Sequence, residues 1–435
     1  MTSSGTATTT TSTTTSATRS PAGSPTEILA DVPAAIARTK ALLRKQIGDY
    51  AGVFAEVESA MRAEVAEIVA ARESGATVWP VVQRSDIVAG AVPAEVADAV
   101  RRRGCAVVRN TFSREQAEEW DRELVRYVDD NHFEETYQRI DDGVFGGLAE
   151  GKPAIFPIYW SAPQMEARQH PDMQAVRQFL NSFWKSESEG RVWFDPSRDT
   201  AYPDRVRRRP PGTTSAGLSA HTDSGSIERW LIPAYQQVFR HVFDGDWRSY
   251  DAWDGAFRTD VDEFTSTVMC SAFRTFQGWT ALSDMQPEEG VLHVVPIPHA
   301  MAYMLLRALQ DDVDEGDLCG AANGQALPIT AEFHSVLLPA LSPIPAVEPG
   351  DTVWWHGDLI HSVAAVDDQK GWGNVMYIPA TPGCAKNDAY AASCGAAFVD
   401  GRSPSDFAPE DYEVTWTGRP SAADLSDLGR AQLHL

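Results

Sequence analysis

The chain is poor in cysteine. It has five, at positions 105, 270, 319, 384 and 394, an odd number with no C-x-x-C pair. That excludes a disulfide scaffold and a cysteine-built zinc site, and it fits a reducing cytosol. Positive charge is also scarce: 37 Lys and Arg face 61 Asp and Glu, a formal net charge of −24. A surface so acidic repels nucleic acid and anionic membrane, so neither is expected as a partner. No run of ~18 apolar residues occurs, so no segment is expected to span a membrane. The N-terminus lacks the basic-then-apolar order of a secretory signal, and a cytoplasmic location is expected.

Apolar residues, by contrast, are plentiful. With 43% hydrophobic residues and 13 tryptophans among 435 positions, the chain can bury a substantial core. Its first part does not contribute: "TSSGTATTTTSTTTSATRSPAGSP" cannot bury enough surface to offset ordering, so residues 1–25 read as a disordered tail. A helical segment over 26–80 follows. Leu43, Ile47, Tyr50, Phe54, Val57, Met61, Val65 and Ile68 recur at steps of three and four, which predicts one long helix over 43–68 with an apolar stripe. The stripe either packs on the body of the protein or makes a coiled-coil contact with a second subunit, giving a homodimer.

Next come a short helix (93–104), a buried strand (105–110) and a helix over 113–130 with Ser113 and Gln116 in capping-box spacing. From about 190 the texture turns to short β-like runs at 204–209, 275–284, 290–297, 351–357 and 374–380, separated by Pro- and Gly-containing loops. That pattern predicts an α+β protein with a mainly β core, a barrel or double-sheet jelly roll. The main unit is expected over 81–398, with an insertion or lid at 300–345 and an acidic C-terminal tail at 399–435 to which no role is assigned.

Within the stretch "LSAHTDSGSIERW", His221 and Asp223 are two positions apart. On a strand or at its end, residues i and i+2 point the same way. A third ligand must come from elsewhere, and "PGDTVWWHGDLIHS" offers His356 and His361. Two imidazoles and one carboxylate on one face of an octahedron leave sites open, as non-heme Fe(II) oxygenases require. Closed four-ligand zinc sites have no such vacancy.

The order and spacing of "HTD", "WTALSDMQPEEGVLHVVPIPH" and "GDTVWWHGDLIHS" resemble the phytanoyl-dioxygenase-like Fe(II)/2-oxoglutarate oxygenases. "RVRRRPPGTTSAGLSAHTDSGSIERW" and "FRTFQGWTAL" look closer still to the YbiU-like branch. The resemblance spans about residues 85–385. It implies a distorted double-stranded β-helix (jelly roll, cupin-like) with a helical N-terminal flank, and Fe(II) held by His221, Asp223 and His361. It further implies 2-oxoglutarate and O2 as cosubstrates. His356 is then structural, His299 lies outside the metal shell, and His293 and His334 are packing or surface residues. In relatives, an arginine about ten residues past the distal histidine holds the far carboxylate of 2-oxoglutarate. Here "HSVAAVDDQKGWGNVMYIPATP" has no arginine, and Lys370 is its only cation. Arg274, in "CSAFRTFQGW", is the stronger candidate for that carboxylate, the alternative being a salt bridge to an acidic side chain.

For the substrate, Arg205, Arg207, Arg208 and Arg209 form a charge run that reads mostly as a solvated strand edge. Alternation puts Arg207 and Arg209 on one face, where they would reach a substrate carboxylate. Arg229 and Trp230 are expected in the cavity wall, and "IFPIYW" (155–160) in a lid or in the core. The expected activity is oxidation of an unactivated C–H in a small polar, carboxylate- or amino-acid-like metabolite, with release of succinate and CO2. Asp223 argues against a halogenase, which needs that position vacant. The competing expectations are a cupin-like metal enzyme that does not use 2-oxoglutarate, and a non-catalytic ligand-binding jelly roll.

Overall fold

The structure, a computed structural model, describes residues 24–137, 155–264, 266 and 270–435. Most of the expected disordered tail therefore lies outside the described residues. Its last two positions already cap and open a helix. Ser24 caps α1 (Pro25–Ala30) by accepting from the Glu27 backbone N–H at 3.3 Å, while the Glu27 carboxylate accepts from the Ser24 N–H at 2.7 Å.

The expected long helix is two helices, α2 (Val32–Ile47) and α3 (Tyr50–Glu73). Gly48, at φ +78°, ends the first, and the Asp49 carboxylate caps the second at the Gly52 N–H, 3.0 Å away. The apolar stripe survives the break. Leu43, Val57, Met61, Val65 and Ile68 are buried in one core cluster with Met301, Leu305 and Leu306 of the same chain. The packing alternative thus accounts for the stripe.

Two further helices frame the entry unit, α4 (Ala94–Arg103) and α5 (Arg114–Asp130), the latter capped by Ser113 through the Gln116 N–H at 3.1 Å. Later helices include α6 (Glu228–Leu231), α7 (Ala300–Arg307), α8 (Ala385–Asp400) and α9 (Asp427–Leu433). Every residue of α7 is buried. The segment expected as an insertion or lid therefore begins with a core helix, because its apolar residues run all round it and must be covered on every side.

The strands that build the body are β1 (Val81–Gln83), β2 (Cys105–Arg109), β3 (Ile155–Phe156), β4 (Val206–Arg207), β5 (Leu218–Thr222), β6 (Phe276–Ala281), β7 (Leu292–Val294), β8 (Leu327–Pro328), β9 (Ser342–Pro343), β10 (Thr352–His356), β11 (His361–Val363) and β12 (Val375–Tyr377). They form a 7-stranded sheet, β1-β2-β10-β6-β12-β4-β3, and a 5-stranded sheet, β8-β5-β11-β7-β9. Pairing is antiparallel except between β1 and β2. From β4 onward the chain moves repeatedly from one sheet to the other, so residues far apart in sequence face a common interior. Several strands are shorter than expected. Pro210 and Pro211 stop β4, and Pro296 follows β7, since proline cannot donate to a ladder. At the centre, Gly278 of β6 lies opposite Trp354 of β10, and a Cβ there would stand 2.4 Å from the indole. Only glycine lets that ring lie across the sheet.

The segment after α8 folds back onto the body. Leu425 and Leu433 are buried, and the buried Glu413 carboxylate accepts from the Tyr159 N–H (2.6 Å), the Trp160 N–H (3.0 Å) and the Tyr127 hydroxyl (2.8 Å). Tyr159 and Trp160 are themselves core residues, which leaves Ile155 as the member of the 155–160 stretch that reaches the cavity described below.

Met61 is fully buried between α3 and the body. Met61→Ala is expected to cost about 2–5 kcal/mol. The effect should be read as a lower urea midpoint at unchanged slope.

Candidate metal centre

β5 and β11 are neighbours in the smaller sheet, and their register sets His361 directly opposite His221. Residues in that relation lie side by side on one face. The ring centroids are 4.3 Å apart. Asp223 follows at the end of β5, with Oδ1 3.2 Å from His221 Nε2 and Oδ2 3.6 Å from His361 Nε2. One ligand atom from each of the three lies within 4.8 Å of the others.

Each imidazole is fixed through its other nitrogen. His221 Nδ1 is 2.7 Å from the Ser219 carbonyl, and His361 Nδ1 is 3.0 Å from the Leu359 carbonyl. A carbonyl only accepts, so Nδ1 carries the proton and the Nε2 lone pair faces the shared point. This is the tautomer a metal ligand needs, and the donor set fits Fe(II) or a similar divalent ion. Burial opposes charge on Asp223, but the facing imidazoles, His361 foremost, outweigh it and hold the carboxyl well below its usual range. For His221, too, burial opposes the charged form, but the Asp223 carboxylate, which accepts from the ring when it is protonated, overcomes it and raises the pKa.

The triad opens into a cavity of about 130 Å³ between the two sheets. Arg274, just before β6, lines it at the metal end, with Nη2 4.0 Å from Asp223 Oδ2 and its guanidinium 5.3 Å above the Tyr202 ring. Arg207 of β4 lines it as well, buried, with Nε 3.3 Å from the Gly373 carbonyl.

Other expected site residues lie elsewhere. Lys370 is 76% exposed, pairs with Asp368 and is not in the cavity wall, because its loop projects to solvent. Arg209, on the same face of the strand as Arg207, turns to the Gly290 carbonyl, and Arg208 pairs with Asp121 at 3.1 Å. Arg205 does reach the wall, pairing with Asp204 at 3.4 Å and standing 4.9 Å above the Phe407 ring.

Arg229 and Trp230 are not wall residues. The chain turns into α6 directly after Asp223, and that helix runs into the core. Trp230 donates to the Leu305 carbonyl at 3.1 Å, and Arg229 binds Asp358 at 2.9 Å and the Gly225 carbonyl at 3.1 Å. Arg258 holds the second Asp358 oxygen at 2.8 Å. Burial disfavours the Asp358 carboxylate, yet Arg258 and then Arg229 hold it ionised, far below the usual carboxylate range. The cluster clasps the turn after Asp223 to the turn before His361.

His356 faces away from the triad. It stacks on Trp184 at 4.5 Å, its Nε2 lies 3.0 Å from the Ala252 carbonyl, and burial pushes its pKa down to about 4. His334 is buried and likewise lowered to about 4 by burial, His293 is half-buried with Nδ1 3.3 Å from the Val291 carbonyl, and His299 precedes α7 outside the cavity.

Sequence reasoning overlooked Tyr202, Gln277, Trp355, Asp406 and Phe407 in the wall. Alternation from His221 and along β6 and β10 carries a signal for Gln277 and Trp355. Nothing local marks Asp406 and Phe407, which arrive with the returning C-terminal segment.

The Gig2-like family model matches residues 30–435. The chain belongs to the Gig2-like family. It is 54% identical over 408 residues to the uncharacterized protein YbiU of Escherichia coli (strain K12), covering 93% of this chain and 97% of that one. Among solved structures it is similar to the hypothetical protein JW0805 from Escherichia coli (TM-score 0.88, 53% identity, 93% and 98% of the two chains). It is also similar to GlcNAc Inducible Gene 2 from Candida albicans (TM-score 0.75, 27% identity, 91% and 89%). The likeness to YbiU fits the branch that the motifs point to. At family level, Gig2-like replaces the phytanoyl-dioxygenase-like expectation. Three short stretches around two histidines and an aspartate are too little sequence to separate one family from another.

Removing the Asp358 carboxylate leaves two buried guanidinium groups uncompensated. Asp358→Ala is expected to cost about 3–5 kcal/mol, seen as a lower denaturation midpoint in the metal-free protein. The two buried histidines make stability fall in acid. His356 and His334 titrate near 4 when folded against ~6.5 when unfolded, so the unfolded chain takes up protons first. Their contribution is complete above about pH 6.5 and shrinks as pH falls toward 4. His356→Gln is expected to flatten that slope in urea titrations across pH.

Proposed function

We propose that the protein is an Fe(II)/2-oxoglutarate-dependent oxygenase acting on a small polar, carboxylate- or amino-acid-like metabolite. We read the two alternating sheets as a double-stranded β-helix spanning about 81–398, flanked by the helices of 26–80. The observation that carries the reading is the triad itself. Two imidazoles whose Nδ1 atoms are committed to backbone carbonyls, and one ionised carboxylate, converge at the edge of a cavity that also holds buried arginines.

His221, Asp223 and His361 would hold the iron. Bound iron with 2-oxoglutarate and O2 supplies oxidation of an unactivated C–H, releasing succinate and CO2. The protein's own groups orient and shield. Trp355, with its ring 5.4 Å from that of His361, covers one side of the triad and limits water there. Buried arginines supply the cation that a dicarboxylate needs. The partner is a small molecule. Among the described residues no helix is long and apolar enough to cross a membrane, and the five cysteines are free and buried; we place the protein in the cytoplasm.

Anaerobic addition of Fe(II) and then 2-oxoglutarate is expected to produce a weak visible charge-transfer band. Oxygen is then expected to release succinate. His361→Ala and Asp223→Ala should lose both signals, by more than the ~10–100-fold that loss of a supporting residue costs. A protein that binds iron but shows neither the band nor succinate is not this oxygenase.

A further inference from the structure

The oxygenase reading requires one cation for the far carboxylate of the cosubstrate, and the cavity has two that lack a firm anionic partner. Among the described residues, no carboxylate lies within ion-pair distance of Arg207. The buried Nε of Arg274 has no hydrogen-bond partner, and among the described residues the one carboxylate within ion-pair distance, Asp223, is 4.0 Å away. A buried guanidinium left in this state is costly until an anion arrives. The nearby acids do not fill the role. Asp204 pairs with Arg205, and Asp406 accepts from Ser271 at N (2.8 Å) and Oγ (2.6 Å).

The two arginines stand at different depths. The ladder sets His361 opposite His221 and Val294, and Val363 opposite Leu218 and Leu292. Leu218, Leu292 and Val363 line the cavity, so it runs from the triad along the strands toward that level. Gly290 lies further still from the triad, and Arg209 reaches its carbonyl. Arg207, two residues earlier on the same face, therefore enters over the floor. Arg274 stands at the opposite end, against a metal ligand and beside Tyr202, whose ring is 6.0 Å from that of Phe407. A keto-diacid that chelates through one end sends its other end away from the metal, toward Arg207. Arg274 is left at the end where a substrate must present its C–H.

We propose two separate anion seats, with Arg207 on the floor taking the far carboxylate of 2-oxoglutarate, and Arg274 taking an acidic group of the substrate itself, whose apolar part lies against Tyr202 and Phe407. The first seat rests on the oxygenase reading, as does the naming of the second ligand as the substrate; that Arg274 seats an anion does not. The proposal moves Arg274 from the cosubstrate to the substrate.

The test uses the full chain and the variants Arg207→Gln, Arg274→Gln and Arg274→Lys. Two titrations are followed by calorimetry: 2-oxoglutarate into the anaerobic Fe(II) protein, and benzoate, with benzamide as its uncharged twin, into both the 2-oxoglutarate-loaded and the metal-free protein. Arg207→Gln is expected to weaken 2-oxoglutarate about 10–100-fold and to leave benzoate within about 3-fold in the loaded protein. Arg274→Gln should do the reverse, and Arg274→Lys should recover part of the benzoate affinity. Weaker 2-oxoglutarate binding in Arg274→Gln but not in Arg207→Gln overturns the assignment. Equal binding of benzamide and benzoate, or no benzoate binding, removes the substrate seat. If the wild type binds no 2-oxoglutarate, the oxygenase reading and the floor seat fail together. The metal-free titration then decides the Arg274 seat, which stands only if Arg274→Gln loses benzoate.

Discussion

The register between β5 and β11 is the constraint on which the rest of the site depends. His221 and His361 are distant in sequence, and they become neighbours only because the ladder sets them opposite each other. Side chains alternate along a strand, so a one-residue slip would turn one imidazole to the other face. The pairing contains an irregularity that protects this register. Between His361 and Val363 the partner advances from His221 to Leu218, one residue more than on β11. The irregular step lies next to Gly217, at φ +74°, where a Cβ would meet the Val363 carbonyl at 2.3 Å. A bulge of this kind re-aims side chains and fixes pairing, and here it sits at the base of the strand that carries H-x-D.

The register alone would still leave the turns around the ligands free to shift. Asp358 removes that freedom. It stands three residues before His361 and receives Arg229, which comes six residues after Asp223, and Arg258 from a third segment. Burying an acid between two arginines is not a favoured way to gain stability over an apolar core. Its value lies in direction, since a charged fork accepts one geometry where leucines would accept several. The same reasoning separates these arginines from Arg207 and Arg274. The arginines of the clasp are satisfied by an acid of the chain, whereas among the described residues no carboxylate pairs with Arg207, and Arg274 meets only Asp223, at 4.0 Å.

The parts of this arrangement legible in the sequence are those written in local spacing. H-x-D signals two ligands on one side of a strand, "HGDLIHS" offers the third, and the apolar steps of α2 and α3 mark a packed face. The break at Gly48–Asp49 has a local signal too, a glycine followed by a capping acid, yet the periodicity runs through it unchanged because both helices pack on the same core. Arg229 and Trp230 were illegible for a different reason. Proximity in sequence to a ligand says nothing about the direction the chain takes after the turn, and α6 carries them into the core. Lys370 had the right charge, but a glycine-flanked loop gives it no wall to join. Only tertiary closure brings Asp406 and Phe407 to Tyr202, and no periodicity encodes that.

The cavity is therefore assembled from two sources with different freedom to change. The triad end is set by ladder register, where a single substitution disturbs both neighbours of a strand. The far side of Tyr202 is set by the C-terminal segment, anchored chiefly where Glu413 accepts two backbone N–H groups and the Tyr127 hydroxyl. That anchor lies seven residues from Asp406, and it binds the 155–160 stretch through Tyr159 and Trp160, not the ligand strands. Residues 402–412 thus reach the cavity on a segment separate from the strands that carry His221 and His361. The two ends of the cavity are thus carried by separable pieces of chain: the strands set His221 and His361, and the returning segment sets the wall beside Tyr202.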